Sequence, residues 1–212
     1  MTSPTAIEVA RRRLQCEAVA IAKVADTIDG DFVAIAEALL KCAGKVFVSG
    51  SGTSGTIARR MAHLLSVCGT PAVFLAPMDA LHGSSAAVRG EDVVLLISNG
   101  GSSSEVLELA QIARRLGATI VVLTGRAKSP LAQEADHLAL VNVAPEAEIG
   151  GVVATGATLA QAAWGDALAE VLMRARGYTW AEFMKSHPAG AVGMRADLPD
   201  DFPALALTGS DL

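Results

Sequence analysis

Aromatic side chains make up only 4% of this 212-residue sequence, which leaves few rings for stacking on bases or sugars. Cations are not in excess: Lys and Arg number 17 against 22 Asp and Glu, a formal net charge of −5. That balance argues against a surface built to neutralise nucleic-acid phosphates. Charged residues amount to 18%, hydrophobic residues to 51%, and the mean hydropathy is +0.42, so extended disorder is excluded for most of the chain. No apolar run reaches the roughly 18 residues that a membrane span needs, because Ser, Thr, Gly or a charge interrupts each one. The stretch Met1 to Ala10 lacks the basic start and apolar run of a signal peptide. Three cysteines, Cys16, Cys42 and Cys68, show no C-x-x-C spacing; their odd number suits small core residues in a reducing compartment. A cytoplasmic protein with no membrane or nucleic-acid partner is expected. No two histidines share the i, i+4 spacing of a zinc helix, so no metal site is expected, and no cofactor either.

What is present is a change of period along one domain. Apolar residues recur at helical spacing from Ile7 to about Asp26, with Arg11, Arg12 and Arg13 clustered on the polar side as a solvated face. Asp31 is expected to cap a second helix, Phe32 to Lys41. Short apolar runs then alternate with helical stretches. Val46 to Ser49, Ala72 to Leu75, Val93 to Ser98, Thr119 to Thr124 and Leu138 to Val143 read as strands. Thr56 to Val67, Ser103 to Leu116 and Pro130 to Ala135 read as helices between them. Strands so continuously apolar are covered on both faces, and each crossover is long enough for a helix, which predicts an α/β doubly wound parallel sheet. A long helix, about Ala154 to Arg176, should stop at Gly177, and a shorter one should follow from Thr179. Residues 1–195 are read as the folded domain, and residues 196–212, with four aspartates and two prolines, as a loosely held acidic tail.

Two strand ends carry the same chemistry. The first strand runs into Gly50-Ser51-Gly52-Thr53-Ser54-Gly55, which satisfies G-x-G-x-x-G formally. A dinucleotide site also needs an acid at the end of the second strand, and here the first acid, Asp79, lies beyond Pro77. Hydroxyls at Ser49, Ser51, Thr53, Ser54 and Thr56 suit a single phosphate group instead. The third strand ends in Ser98-Asn99-Gly100-Gly101-Ser102-Ser103-Ser104-Glu105, again before a helix. With no Lys or Arg in either turn, an anion would be held by helix ends, N–H groups and neutral hydroxyls. The alternative is a pair of ordinary turns whose serines cap their helices.

Glu105, Glu146 and His187 are the candidates for acid–base work, with His82 a second imidazole. Glu105 falls on the first turn after the second loop, where it also suits the helix dipole. Glu146 lies in an irregular stretch after the last strand, beside Glu148, and His187 sits in a constrained turn where it could equally cap a helix. His63 and His137 read as structural. A phosphate anchor with carboxylates and imidazoles suits aldose–ketose isomerisation. There a carboxylate moves a proton between adjacent carbons if burial lifts its pKa, and an imidazole opens the sugar ring.

These segments resemble the SIS (sugar isomerase) domain family, most closely its arabinose-5-phosphate isomerases. The likeness is carried by the two hydroxyl loops, Ala80-Leu81-His82-Gly83, Gly165-Asp166-Ala167-Leu168-Ala169, Arg174 to Tyr178 and Ser186-His187-Pro188 through Gly193, in order from about Ile7 to Arg195. The resemblance implies a five-stranded parallel sheet flanked by helices, a sugar-phosphate substrate, and a homotetramer with sites assembled between subunits. It implies phosphate contacts from Ser54, Ser98, Asn99 and Ser103, and Ser51, Thr53 and Ser102 are expected to join them as hydroxyls of the same loops. Acid–base roles fall to Glu105, Glu146 and His187 with His82 nearby, and His187 acts in a neighbouring subunit's pocket. The chain departs from those isomerases in having Thr53 for a lysine, Ser102 for a glutamate, and Pro188-Ala189-Gly190 for Pro-Gly-Gly. Paired CBS modules have no counterpart in the sequence, so regulation through them is not expected. A non-catalytic sugar-phosphate-binding module, or another phosphosugar enzyme of the same family, is the competing expectation.

Overall fold

Each strand divides its side chains between two cores, and that alternation builds the architecture. The computed structural model describes residues 3–207. Five parallel strands, β1 (Val46–Gly50), β2 (Ala72–Phe74), β3 (Val93–Ile97), β4 (Thr119–Thr124) and β5 (His137–Leu140), lie in the order β2-β1-β3-β4-β5. On one face Val46, Val48, Val93, Leu95, Ile97, Val121 and Leu123 meet α2 (Gly30–Lys41), α3 (Gly52–Val67) and α7 (Gly156–Ala175). On the other, Phe47, Val94, Leu96, Ile120 and Val122 meet α4 (Pro77–Leu81), α5 (Ser104–Arg115) and α6 (Pro130–Gln133). Continuous apolar runs are what a sheet buried on both faces requires.

The strands end close to where the sequence puts them, except that β5 starts at His137 and stops at Leu140 rather than running to Val143. The second helix begins at Gly30, capped by Asp29, whose carboxylate accepts from Asp31 N at 3.0 Å and Phe32 N at 3.3 Å; Asp31 is therefore not the cap. Helix α3 begins at Gly52, four residues before the expected start, and Gly55 N already donates to Ser51 O at 3.0 Å. Glycine and hydroxyl residues have low helix propensity, but packing against β1 imposes the helix there. A Cβ at Gly55 would lie 2.7 Å from Gly50 O, so the helix rests directly on the strand's backbone.

Helix α1 (Ala6–Ala22) packs on α7 and on the 3-10 turn Pro145–Ala147. Helix α8 (Trp180–Lys185) opens with a capping box of Thr179 and Glu182, and a short turn of helix, α9 (Gly190–Gly193), follows it. Residues 196–207 form no regular element, yet Asp201 Oδ1 accepts from Trp180 N at 2.8 Å and the Phe202 ring lies 5.6 Å from that of Trp180. Residues 208–212 of the acidic end lie outside the described residues.

Gly55→Ala is expected to destabilise the fold by about 1–3 kcal/mol, because the new methyl meets a backbone carbonyl and overpacking outweighs the gain in helix propensity. Urea unfolding measures it; a variant as stable as the wild type would show that α3 can lift off β1 at no cost.

Candidate active site

The sheet order places a switch point between β1 and β3, whose following helices leave to opposite faces of the sheet. Ligands of doubly wound sheets bind in that crevice. Gly50 and Ile97 are register partners, so Ser51 and Ser98 begin their loops side by side.

Ser51 is the N-cap residue of α3 and Ser103 that of α5, and neither side chain accepts a hydrogen bond from its own helix. Elsewhere Thr5, Asp29, Ser129 and Thr179 do cap their helices in that way. The reading of the two loops as ordinary capped turns therefore fails at the N-cap residues themselves. Two helix ends retain uncapped first-turn N–H groups and partial positive charge, which is how a helix N-terminus receives an anion. Ser98, 5% exposed, accepts from Gly101 N at 3.2 Å and lies 3.4 Å from Ser103 Oγ, so its hydroxyl shapes the second loop as well as facing its neighbour. Gly101 has φ +63, and a Cβ there would collide with Ser129 Oγ. Thr53 and Ser102 are exposed, Ser54 is buried in the first turn of α3, and Ser49 is wholly buried.

Glu105 lies on the first turn of α5. Its carboxyl is held below the ordinary carboxylate value chiefly by the Ser51 hydroxyl, then by the N–H at its own position, against a small opposing cost of burial. Ser104 Oγ adds a bond at 3.3 Å. Glu105 is thus ionised at neutral pH; the expected upward shift through burial does not occur at this residue.

The other acid–base candidates lie elsewhere in the single chain. Glu146, on the 3-10 turn after β5, is exposed and lines a cleft of about 220 Å³ with Cys16, Val19 and Lys23 of the N-terminal helical segment. Its neighbour Glu148 is occupied: the carboxylate accepts from Thr155 N at 2.5 Å and Ala157 N at 3.2 Å and so caps α7. The two glutamates, equivalent by sequence, are separated by this contact. Asn99 lines a different cleft, of about 140 Å³, with Arg126, Pro145 and Glu148. His187 Nδ1 lies 2.9 Å from Phe183 O and 3.1 Å from Ser186 Oγ, and its ring stacks on Phe183 at 3.8 Å. His82 is the exposed C-cap of α4.

Two cations near the loops escaped the sequence reading. Arg59 on α3 stacks over Phe74 at 4.0 Å and lines the cleft beside Ser51, Gly52 and Thr56. Arg126 stands after β4. The i, i+3/4, i+7 spacing of Gly52, Thr56 and Arg59 is the signal for the first, and a strand's carboxyl end that for the second. Among the described residues no three of His, Cys, Asp or Glu are grouped to hold a metal ion.

Residues 39–171 match the SIS domain. The chain belongs to the SIS domain family. Over 182 residues this SIS domain chain is 41% identical to the arabinose 5-phosphate isomerase KdsD of Escherichia coli K12, covering 86% of this chain and 56% of that protein. It is 39% identical over 189 residues to KdsD of Pseudomonas aeruginosa, covering 89% and 58%. The chain therefore spans little more than half the length of these curated relatives. Among solved structures, E. coli CFT073 c3406 in complex with arabinose 5-phosphate matches with a TM-score of 0.83 and 31% identity, covering 89% of this chain and all of that one. The five-stranded parallel sheet with flanking helices is the SIS arrangement.

Because Glu105 titrates low, its ionised interactions contribute stability above the unfolded-state pKa, and that contribution is lost as pH falls through the folded value. Ser51→Ala is expected to move the Glu105 titration up towards its ordinary value. Carboxyl NMR across acidic pH reads it; an unmoved titration would mean that Ser51 does not reach Glu105.

Proposed function

We propose that this SIS domain is a sugar-phosphate aldose–ketose isomerase whose substrate is arabinose 5-phosphate or a close relative. The observation that carries the reading is the pair of N-cap serines that cap nothing, Ser51 and Ser103, on the two loops that leave the register partners Gly50 and Ile97, with an ionised Glu105 on the first turn of α5. The likeness to KdsD and to the structure solved with arabinose 5-phosphate supports the same substrate class.

The phosphate sits against the N-termini of α3 and α5 and takes hydrogen bonds from Ser51, Thr53, Ser54, Ser98, Asn99, Ser102 and Ser103. His187, with His82 nearby, moves a proton onto the ring oxygen as the O1 proton leaves, which opens the sugar to its aldehyde. A carboxylate then removes the C2 proton. The C–H electron pair forms the C1=C2 bond of an enediol, O1 gains a proton, and O2 surrenders one as the carboxylate returns its proton to C1. Glu146 or Glu105 is that carboxylate. Glu105 is ionised and can accept a proton, but its lowered pKa makes it a weaker base than a carboxylate raised by burial.

The site is completed between copies in a homotetramer. The side-chain hydrogen bonds and ring stacking of His187 are made within residues 183–187, and the cleft that Glu146 lines is lined by none of the loop serines. Apolar side chains stand exposed on α1 and beyond the last strand, among them Leu14 at 67%, Val152 at 85% and Met194 at 79%. A cytoplasmic location goes with this reading; no helix among the described residues is long and apolar enough to cross a membrane.

A second reading, a sugar-phosphate-binding module without turnover, is favoured by one observation. Thr53 leaves the first loop itself with no cation, and the nearby Arg59 guanidinium is stacked on Phe74.

In heavy water at pH 7–8, arabinose 5-phosphate or another pentose or hexose phosphate is expected to exchange its C2 hydrogen. Glu146→Gln should lower kcat by about 10²-fold or more with KM retained, if Glu146 is the shuttle. Ser98→Ala should raise KM by about tenfold or more, the loss of a hydrogen bond to a charged group. Thermal stabilisation by these sugars without exchange in any of them would establish the binding module instead.

A further inference from the structure

Arg13 belongs by sequence to a run of three arginines on the polar side of α1, yet its guanidinium is spent on a turn 133 to 135 residues further along the chain. Nη1 donates to Glu146 O at 3.2 Å and to Ala147 O at 2.5 Å, and Nη2 donates to Glu148 O at 3.2 Å. Three consecutive carbonyls of one turn thus converge on one side chain. The bonds of the 3-10 turn itself end on Ala144 O and Pro145 O, and of the three carbonyls Glu148 O also accepts from Gly151 N at 3.2 Å, so Arg13 adds to the donors of a turn that no helix continues. A planar fork with five donors in fixed directions meets such a set with less loss of freedom per hydrogen bond than the ammonium of a lysine.

The turn is clamped from its other side as well. Glu148 caps α7 through Thr155 N and Ala157 N, and Thr155 Oγ1 donates to Ala147 O at 3.0 Å. Glu146 stands between these clamps, exposed, on a backbone that Arg13 ties to α1.

We propose that Arg13 is a positioning residue for Glu146: by bonding the carbonyls of residues 146–148 it fixes the backbone from which the Glu146 carboxylate reaches its substrate. The inference rests on the reading of Glu146 as the proton-shuttling carboxylate. A displacement of about 1 Å in such a group costs up to about 10²-fold in rate, whereas the phosphate cradle on α3 and α5 lies on other elements and should not respond.

The test compares Arg13→Ala and Arg13→Lys with the wild type in the full chain. It measures kcat and KM for a sugar phosphate that exchanges at C2, affinity for inorganic phosphate, and amide hydrogen exchange. The alanine variant is expected to lose about tenfold to 10²-fold in kcat, with KM and phosphate affinity within about twofold. Exchange should quicken at residues 145–149 but not in α3 or α5. The lysine variant should fall between the two and carries the test if the alanine variant does not fold. Unchanged kcat and unchanged exchange at the turn would overturn the proposal. So would a kcat loss matched by loss of phosphate affinity and faster exchange throughout, which marks general destabilisation. A wild type that turns over no sugar phosphate would end the isomerase reading itself, whereas normal kcat in the variants of an active wild type ends only the role of Arg13.

Discussion

The parallel pairing of β1 with β3, which sets Gly50 opposite Ile97, is the constraint on which the site depends. Because α3 and α5 leave that pair to opposite faces, their N-termini open towards one crevice rather than being buried by each other. The close approach of Gly55 to Gly50 O holds α3 down on its strand, so the position of its first turn is fixed by backbone contact rather than by a flexible side chain.

That geometry explains how an anion can be held with no cation in either loop. Each helix terminus carries roughly half a positive charge, so two ends aimed at one phosphate offset much of its negative charge through groups that cost nothing further to orient. The serines add hydrogen bonds without charge. Under the proposed function, an ionised Glu105 in the same crevice would oppose the anion but accept from a sugar hydroxyl displaced from it, which would give the crevice an anion end and an acid–base end. Thr53 removes a full charge from this arrangement and leaves Arg59, fixed on Phe74, as the cation lining the neighbouring cleft.

The sheet was legible because its signal is local: runs such as Val93 to Ile97 are apolar throughout, and the alternation of loops and helices sets the parallel topology. The two loops were legible as hydroxyl turns, but the start of α3 was not, since packing overrides the low propensity of Gly52 to Thr56. Asp29 and Asp31 are equally good caps by type, and only the backbone decides between them. Glu146 and Glu148 pose the same difficulty, and it is the N-terminus of α7, seven to nine residues on, that separates them. Arg13 lies beyond any local pattern, its partners being 133 to 135 residues away.

What the single chain does not bring together is informative in the same terms. Glu105 belongs to the crevice, Glu146 to a cleft against the N-terminal helical segment, and His187 to the end of α8, where its ring is held by Phe183. The His187 ring and the backbone that carries Glu146 are each held by local contacts, which argues against a rearrangement of one chain as the means of uniting them. Association of copies supplies another. Burying a side chain the size of Leu14 or Val152 stabilises by about 1.5–3 kcal/mol, and several such residues stand exposed on α1 and after the last strand, the same elements that flank Glu146. Under the proposed tetramer, the surface that drives assembly and the turn that carries a reacting carboxylate are thus one region. Arg13, which joins α1 to that turn, would then couple subunit packing to the placement of the acid.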